Sequence, residues 1–97
     1  MALFKITDII DGNTIQVEGW KWGDFRGKRV RIQGYNITGQ DKQSFAKMKL
    51  ETLLNGEQIE LKNVVTADKG ESGDDLLYCS VFLNDIDISQ YFPELTA

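Results

Sequence analysis

The stretch RVRIQGYNITGQDKQSFAKMKLETLLNGEQIELKNVV, residues 29–65, reads as strand, helix, strand, and that order decides the fold. "RVRIQGY" alternates cleanly, with Val30 and Ile32 inward and Arg29, Arg31 and Gln33 outward. A helix is expected over roughly residues 41–54, because Ala46, Leu50, Leu53 and Leu54 fall on one stripe at helical spacing. Phe45 borders that stripe, and Lys42, Lys47, Lys49 and Glu51 point away from it. Asn55-Gly56 is a suitable left-handed stop, after which "EQIELKNVV" resumes as a strand.

Working outward, "LFKITDII" runs to a turn at Asp11-Gly12, and "TIQVEG" follows with Ile15 and Val17 on one face. "LLYCSVFL" is an apolar run that reads as a buried strand, and "DISQYFPEL" suggests a short helical turn starting after Asp87 and closed before Pro93. The segments "GWKWGDFRGK" and "TADKGESGDD" carry Gly and charge without periodicity and are expected as loops. Five strands with one helix between the third and fourth is the order of a five-stranded OB-type Greek-key barrel, mainly β with α. With no linker or repeat, residues 1–97 are expected to form a single domain.

The chain contains no His, which removes Ser-His-Asp hydrolysis, Cys-His nucleophiles and Cys/His zinc sites. Cys79, the single cysteine, lies in an apolar run where a thiol behaves as a small hydrophobe. What remains for an enzyme is carboxylates, Lys, Arg and a hard cation held by oxygen. No apolar run is long enough to span a membrane and no signal-peptide pattern opens the chain, so a cytoplasmic location is the expectation.

The net charge of −4 is unevenly placed. Residues 21–50 carry Lys21, Arg26, Lys28, Arg29, Arg31, Lys42, Lys47 and Lys49 against Asp24 and Asp41, a basic block inside an acidic protein. Such a block can steer an anionic partner, or it can face the acidic segments across the fold and cancel.

"ITDIIDGNTIQV", "VRIQGYN", "FAKMKLETLLNGEQIEL" and "LLYCSVFLNDIDIS", in this order over about residues 4–92, resemble the staphylococcal-nuclease-like (thermonuclease) family. The resemblance implies an OB-type barrel and calcium-dependent phosphodiester cleavage, with acidic calcium ligands, a Glu near the attacking water and two Arg residues. Several of those positions differ here. The two calcium-binding Asp positions match Asn13 and Asn36, the catalytic Glu position holds Gly39, and the second catalytic Arg falls near Leu76. Arg31 is the surviving match to a catalytic residue. An amide oxygen can bind calcium, but trading two carboxylates for two amides removes most of the attraction, so no cofactor is expected beyond weakly held calcium. The chain is also short for that family, and the resemblance implies that an apolar strip is left for self-association or a partner.

The segment "EGWKWGDFRGKR" interleaves Trp20, Trp22 and Phe25 with Lys21, Arg26 and Lys28. Aromatic faces for stacking and cations for a backbone are what single-stranded nucleic acid binders combine. The alternative is that these rings cap the barrel or pack on the helix. The expected function is therefore a catalytically degenerate, nuclease-like OB domain that binds nucleic acid through Trp20, Lys21, Trp22, Phe25, Arg26, Lys28 and Arg31. A protein–protein interaction module is the alternative, since aromatic residues and Arg also anchor protein interfaces. A calcium-dependent nuclease with residual activity is a further one.

Overall fold

A computed structural model of the chain describes residues 3–70 and 74–95. Its elements are β1 (Phe4–Asp11), β2 (Thr14–Trp22), β3 (Phe25–Ile32), α1 (Gln40–Leu54), β4 (Gln58–Asp68), β5 (Leu76–Leu83) and β6 (Ile86–Asp87), with a 3-10 turn at Ile88–Tyr91. β1 pairs antiparallel with β2 and β4, β2 with β3, and β4 with β5. A parallel pairing of β3 with β5, Arg29 opposite Leu76 through Ile32 opposite Cys79, closes the five long strands into a barrel. This is the mainly β architecture expected, with the helix between the third and fourth strands and a short C-terminal 3-10 turn. No helix among the described residues is long and apolar enough to cross a membrane.

The interior follows from strand alternation. Leu77, Cys79, Val81 and Leu83 of β5 are buried while Leu76, Tyr78, Ser80 and Phe82 are half-buried, as a period of two requires. They meet Ile15, Val17, Val30, Ile32 and Ile59 inside the barrel, each worth about 1.5–3 kcal/mol when fully buried. Burial pushes the Cys79 thiol pKa up to about 12, so it stays protonated and packs as a hydrophobe.

In α1, Ala46, Leu50 and Leu54 face the barrel, whereas Phe45 and Met48 are exposed. Gly39 takes the N-cap position without a side-chain cap, and Asp41 lies in the first helical turn. Gly56, at φ 75°, turns the chain out of the helix. Asp87 caps the 3-10 turn by accepting the Ser89 N–H at 2.9 Å.

Two expected loops are partly strand. β2 and β3 extend through "GWKWGDFRGK" to a two-residue turn at Gly23-Asp24, with Trp22 opposite Phe25. Gly23 at φ 59° supplies the positive φ that such a tight hairpin needs at its first turn position. Similarly, β4 continues through Thr66, Ala67 and Asp68, paired with Tyr78, Leu77 and Leu76. The rest of "TADKGESGDD" lies partly outside the described residues.

Candidate nucleic-acid interface

β2 connects two unlike ends of the barrel. At its start, the Asp11–Thr14 turn is tied down by its own neighbours. The Asn13 N–H donates to Asp11 Oδ1 at 3.0 Å, the Gly12 N–H to Gln43 Oε1 at 2.7 Å, and the Tyr35 hydroxyl to the Gly12 carbonyl at 2.7 Å. A Cβ on Gly12 would stand 2.6 Å from Ile37 Cδ1 and 2.9 Å from Ala46 Cβ, so the helix sits directly on the turn. The Tyr35 ring stacks on Phe92 with centroids 4.5 Å apart, and Lys49 lies 5.0 Å over the Phe92 ring while pairing with Glu94 at 3.2 Å. Burial, then the Asp11 carboxylate, holds the Tyr35 phenol well above its usual pKa, so it remains a hydrogen-bond donor.

Asn13 is half-buried and Asn36 exposed, and the Asn36 N–H donates to the Leu95 carbonyl at 3.2 Å. Asp11, the one carboxylate in the turn, already uses an oxygen on the Asn13 N–H. The described residues gather no group of three His, Cys, Asp or Glu side chains. This donor set does not fit a calcium ion, which takes several charged oxygens.

At the far end of β2, the hairpin points its side chains into solvent. Trp22 is 41% exposed and stacks on Phe25 with centroids 6.0 Å apart and an interplanar angle of 26°. Trp20, by contrast, is 4% exposed, and its indole N–H donates to the Arg29 carbonyl at 2.9 Å. One face of Trp20 lines a shallow groove of about 640 Å³ together with Phe4, Lys21, Arg26, Lys28 and Asp74. Lys21, Arg26 and Lys28 form no ion pair within 4.0 Å among the described residues.

The segment after β4 braces this hairpin. Asp75, 2% exposed, accepts the Arg26 N–H and the Gly70 N–H at 3.0 Å each and pairs with Lys69 at 3.8 Å. Those backbone N–H groups, Gly70 first and Arg26 next, hold its carboxyl below the usual aspartate range. Lys69 also lies 4.9 Å over the Phe25 ring. Asp74 accepts the Lys28 N–H and pairs with Arg29 at 3.4 Å, which removes Arg29 from the free cations.

Arg31 stands apart from the groove. By strand alternation it shares a face of β3 with Arg29, opposite to Arg26 and Lys28. Its cross-strand neighbours are Thr14 and Tyr78, and Tyr78 donates to Asp68 at 2.9 Å. The hydrogen bond to Asp68 raises the Tyr78 pKa, while Arg31 opposes that shift. Arg31 Nε and Thr14 Oγ1, like Arg29 Nε, are buried without a hydrogen-bond partner among the described residues, and Thr14 is 4% exposed. Thr14 belongs to the Asp-Gly-Asn-Thr turn that the family resemblance marks, but its pairing opposite Arg31 becomes visible only with the β2–β3 register.

Comparison of the chain with protein-family models, with curated proteins and with solved structures finds no match in any of the three.

Proposed function

We propose that this domain is a non-catalytic binding module for single-stranded nucleic acid, a nuclease-like OB barrel that has lost its catalytic set. The observation that carries the reading is the hairpin end of the barrel. There the hairpin carries a Trp22–Phe25 stack with Trp22 exposed and, separately, a groove rimmed by Lys21, Arg26 and Lys28, none of them in an ion pair among the described residues. A base can stack on Trp22 while the three cations neutralise successive phosphates, and stacking of this kind tolerates any sequence. The exposed Trp22 ring suits unpaired bases, whose faces are open to stacking.

Arg31 and Thr14 supply a second anion contact on the other face of β3, where Arg31 Nε and Thr14 Oγ1 lack a hydrogen-bond partner among the described residues, as does Arg29 Nε, which instead pairs with Asp74. An orphaned buried donor costs about 1–3 kcal/mol, which a phosphate oxygen accepting from Arg31 would relieve. The reading includes no cleavage step, since Gly39 and Leu76 provide neither a base nor a charge where the family resemblance would require them.

The test is a Trp-fluorescence titration with single-stranded DNA and RNA at two salt concentrations, with and without calcium, followed by a gel of the same samples. Binding that weakens steeply with salt and leaves the oligonucleotide intact supports the reading. Calcium-dependent cleavage abolished by Arg31→Ala would overturn it.

A further inference from the structure

We propose that Asn55-Gly56, the link between α1 and β4, is a site of spontaneous deamidation, at which the folded chain converts Asn55 to aspartate and isoaspartate and loosens the end of the helix. The reaction needs only solvent water. The Gly56 backbone nitrogen gives its proton to hydroxide and attacks the Asn55 side-chain carbonyl carbon. A five-membered imide forms, and the side-chain nitrogen takes a proton from water and leaves as ammonia. Water then opens the imide at one of its two carbonyls. Breaking the new bond gives aspartate, and breaking the original peptide bond gives isoaspartate.

The local geometry leaves the reacting atoms free. Asn55 closes α1 as its C-cap, its N–H donating to the Glu51 carbonyl at 3.2 Å, and the Glu57 N–H returns to the Leu54 carbonyl at 3.0 Å. With Asn55 at φ −59° and ψ 115° and Gly56 at φ 75°, residues 54–57 match a type II turn, whose third position favours glycine. Asn55 and Gly56 are both exposed, and a Cβ on Gly56 would meet nothing within 4 Å. Neither the Gly56 N–H nor the Asn55 side chain has a hydrogen-bond partner among the described residues.

Ring closure requires the Gly56 nitrogen to swing from the extended ψ of 115° toward the Asn55 side chain, which opens the Leu54–Glu57 turn. A single hydrogen bond at a frayed helix end opens readily. The other four asparagines lack this combination. Asn13, Asn36 and Asn63 precede Thr14, Ile37 and Val64, whose β-branched side chains crowd the attacking nitrogen. Asn84-Asp85 is an exposed turn, but the Leu83–Ile86 pair clamps it on both sides and Asp85 carries a side chain.

The product puts a carboxylate where the helix holds one poorly. The helix dipole is negative at that end, and the last turn of α1 has no basic residue. Asn55 shares a hollow with Asp8 and Glu51, whose lining includes no Lys or Arg among the described residues. On the other side of Gly56, Lys5 is already matched by Glu57, Glu60 and Asp85. The isoaspartyl product also lengthens the main chain between α1 and β4 by one methylene. The inference concerns the helix end alone and does not rest on the nucleic-acid reading.

The test is peptide mapping by mass spectrometry of the full folded chain aged in mildly alkaline buffer, beside the same chain aged in urea and an Asn55→Gln variant. The Asn55 peptide should be the first to exchange the mass of an amide for that of an acid, and should resolve into two products of equal mass, only one of them cut by an aspartate-directed protease. Asn55→Gln, which can close only a six-membered ring, should stay unaltered over the same period. At low salt, hydrogen exchange at the Asn55 and Glu57 amides should quicken by about two- to fivefold in Asn55→Asp, which reproduces one product, and should not quicken in Asn55→Gln. The proposal is overturned if another asparagine converts first, if Asn55 converts in urea but not in the folded chain, or if Asn55→Asp leaves the exchange of both amides unchanged.

Discussion

The two ends of β2 use the same kinds of residue in opposite ways. At Asp11–Thr14 a Gly, an Asp and an Asn are absorbed by Gln43, Tyr35 and one another, under a helix that leaves no room for a Cβ. At Gly23-Asp24 the turn is braced only from one side, with Lys69 donating to the Asp24 carbonyl at 3.5 Å, and Lys21, Trp22, Arg26 and Lys28 beside it stay exposed. A polar turn packed beneath a helix is part of the core, whereas a polar hairpin projecting from a barrel is available to a ligand.

That contrast can be broken most forcefully at Phe92, whose fully buried ring carries Tyr35 on one side and Lys49 nearby. Phe92→Ala should cost about 3–5 kcal/mol in urea unfolding, a large share of the stability of so small a domain. An effect under about 1 kcal/mol would mean that the turn end is not clamped as described.

Gly12→Ala should cost about 1–3 kcal/mol by overpacking. Ile37 Cδ1 and Gln43 Oε1 are side-chain ends that can retreat, but Ala46 Cβ is fixed to the helix. Neutral behaviour in the same unfolding assay would contradict this close approach.

The hairpin end should respond the other way. Trp22→Ala is expected to weaken oligonucleotide binding by about 1–3 kcal/mol while changing stability by no more than about 0.5 kcal/mol. Arg26→Gln with Lys28→Gln should leave the unfolding midpoint nearly unchanged and lower the slope of log affinity against log salt by about 0.7 for each phosphate that is no longer neutralised. A failure to fold in either variant would move these residues from the ligand surface to the core.

The smallest effect expected is on the acid side. Because the Asp75 carboxyl lies below its unfolded value of roughly 3.9, the brace it makes is complete above that pH and is lost as pH falls through the lower folded value. Thermal melts should be flat in this contribution above about pH 5 and fall below about pH 4, and Asp75→Asn should flatten that fall. A decline that begins near neutrality would point to another group.

Much of the barrel was legible because a buried face imposes a period. Val30 and Ile32 in β3, Ile15 and Val17 in β2, and the Ala46–Leu50–Leu54 stripe of α1 are all buried. The β2–β3 hairpin was hidden for the converse reason. Beyond Trp20 it has no buried face, so Lys, Arg and Gly interrupt the alternation and the segment reads as a loop. Trp20 and Trp22 look equivalent in sequence, yet one hydrogen-bonds within the barrel and the other is open, a division set by how the hairpin leaves the barrel wall. The separation of Arg31 from Arg26 and Lys28 follows from simple alternation, but only once that segment is known to be strand.

By itself the sequence determined the number of long strands, the place of the helix and the absence of histidine chemistry, since these depend on local periodicity and composition. Tertiary structure decided which polar groups were left over. The parallel pairing that sets Arg29 beside Leu76 and the Thr14–Arg31 pair, left without hydrogen-bond partners for Oγ1 and Nε among the described residues, both join residues distant in the chain. Such relations leave no local signal, because hydrogen-bond satisfaction is settled by whatever the closed barrel brings alongside.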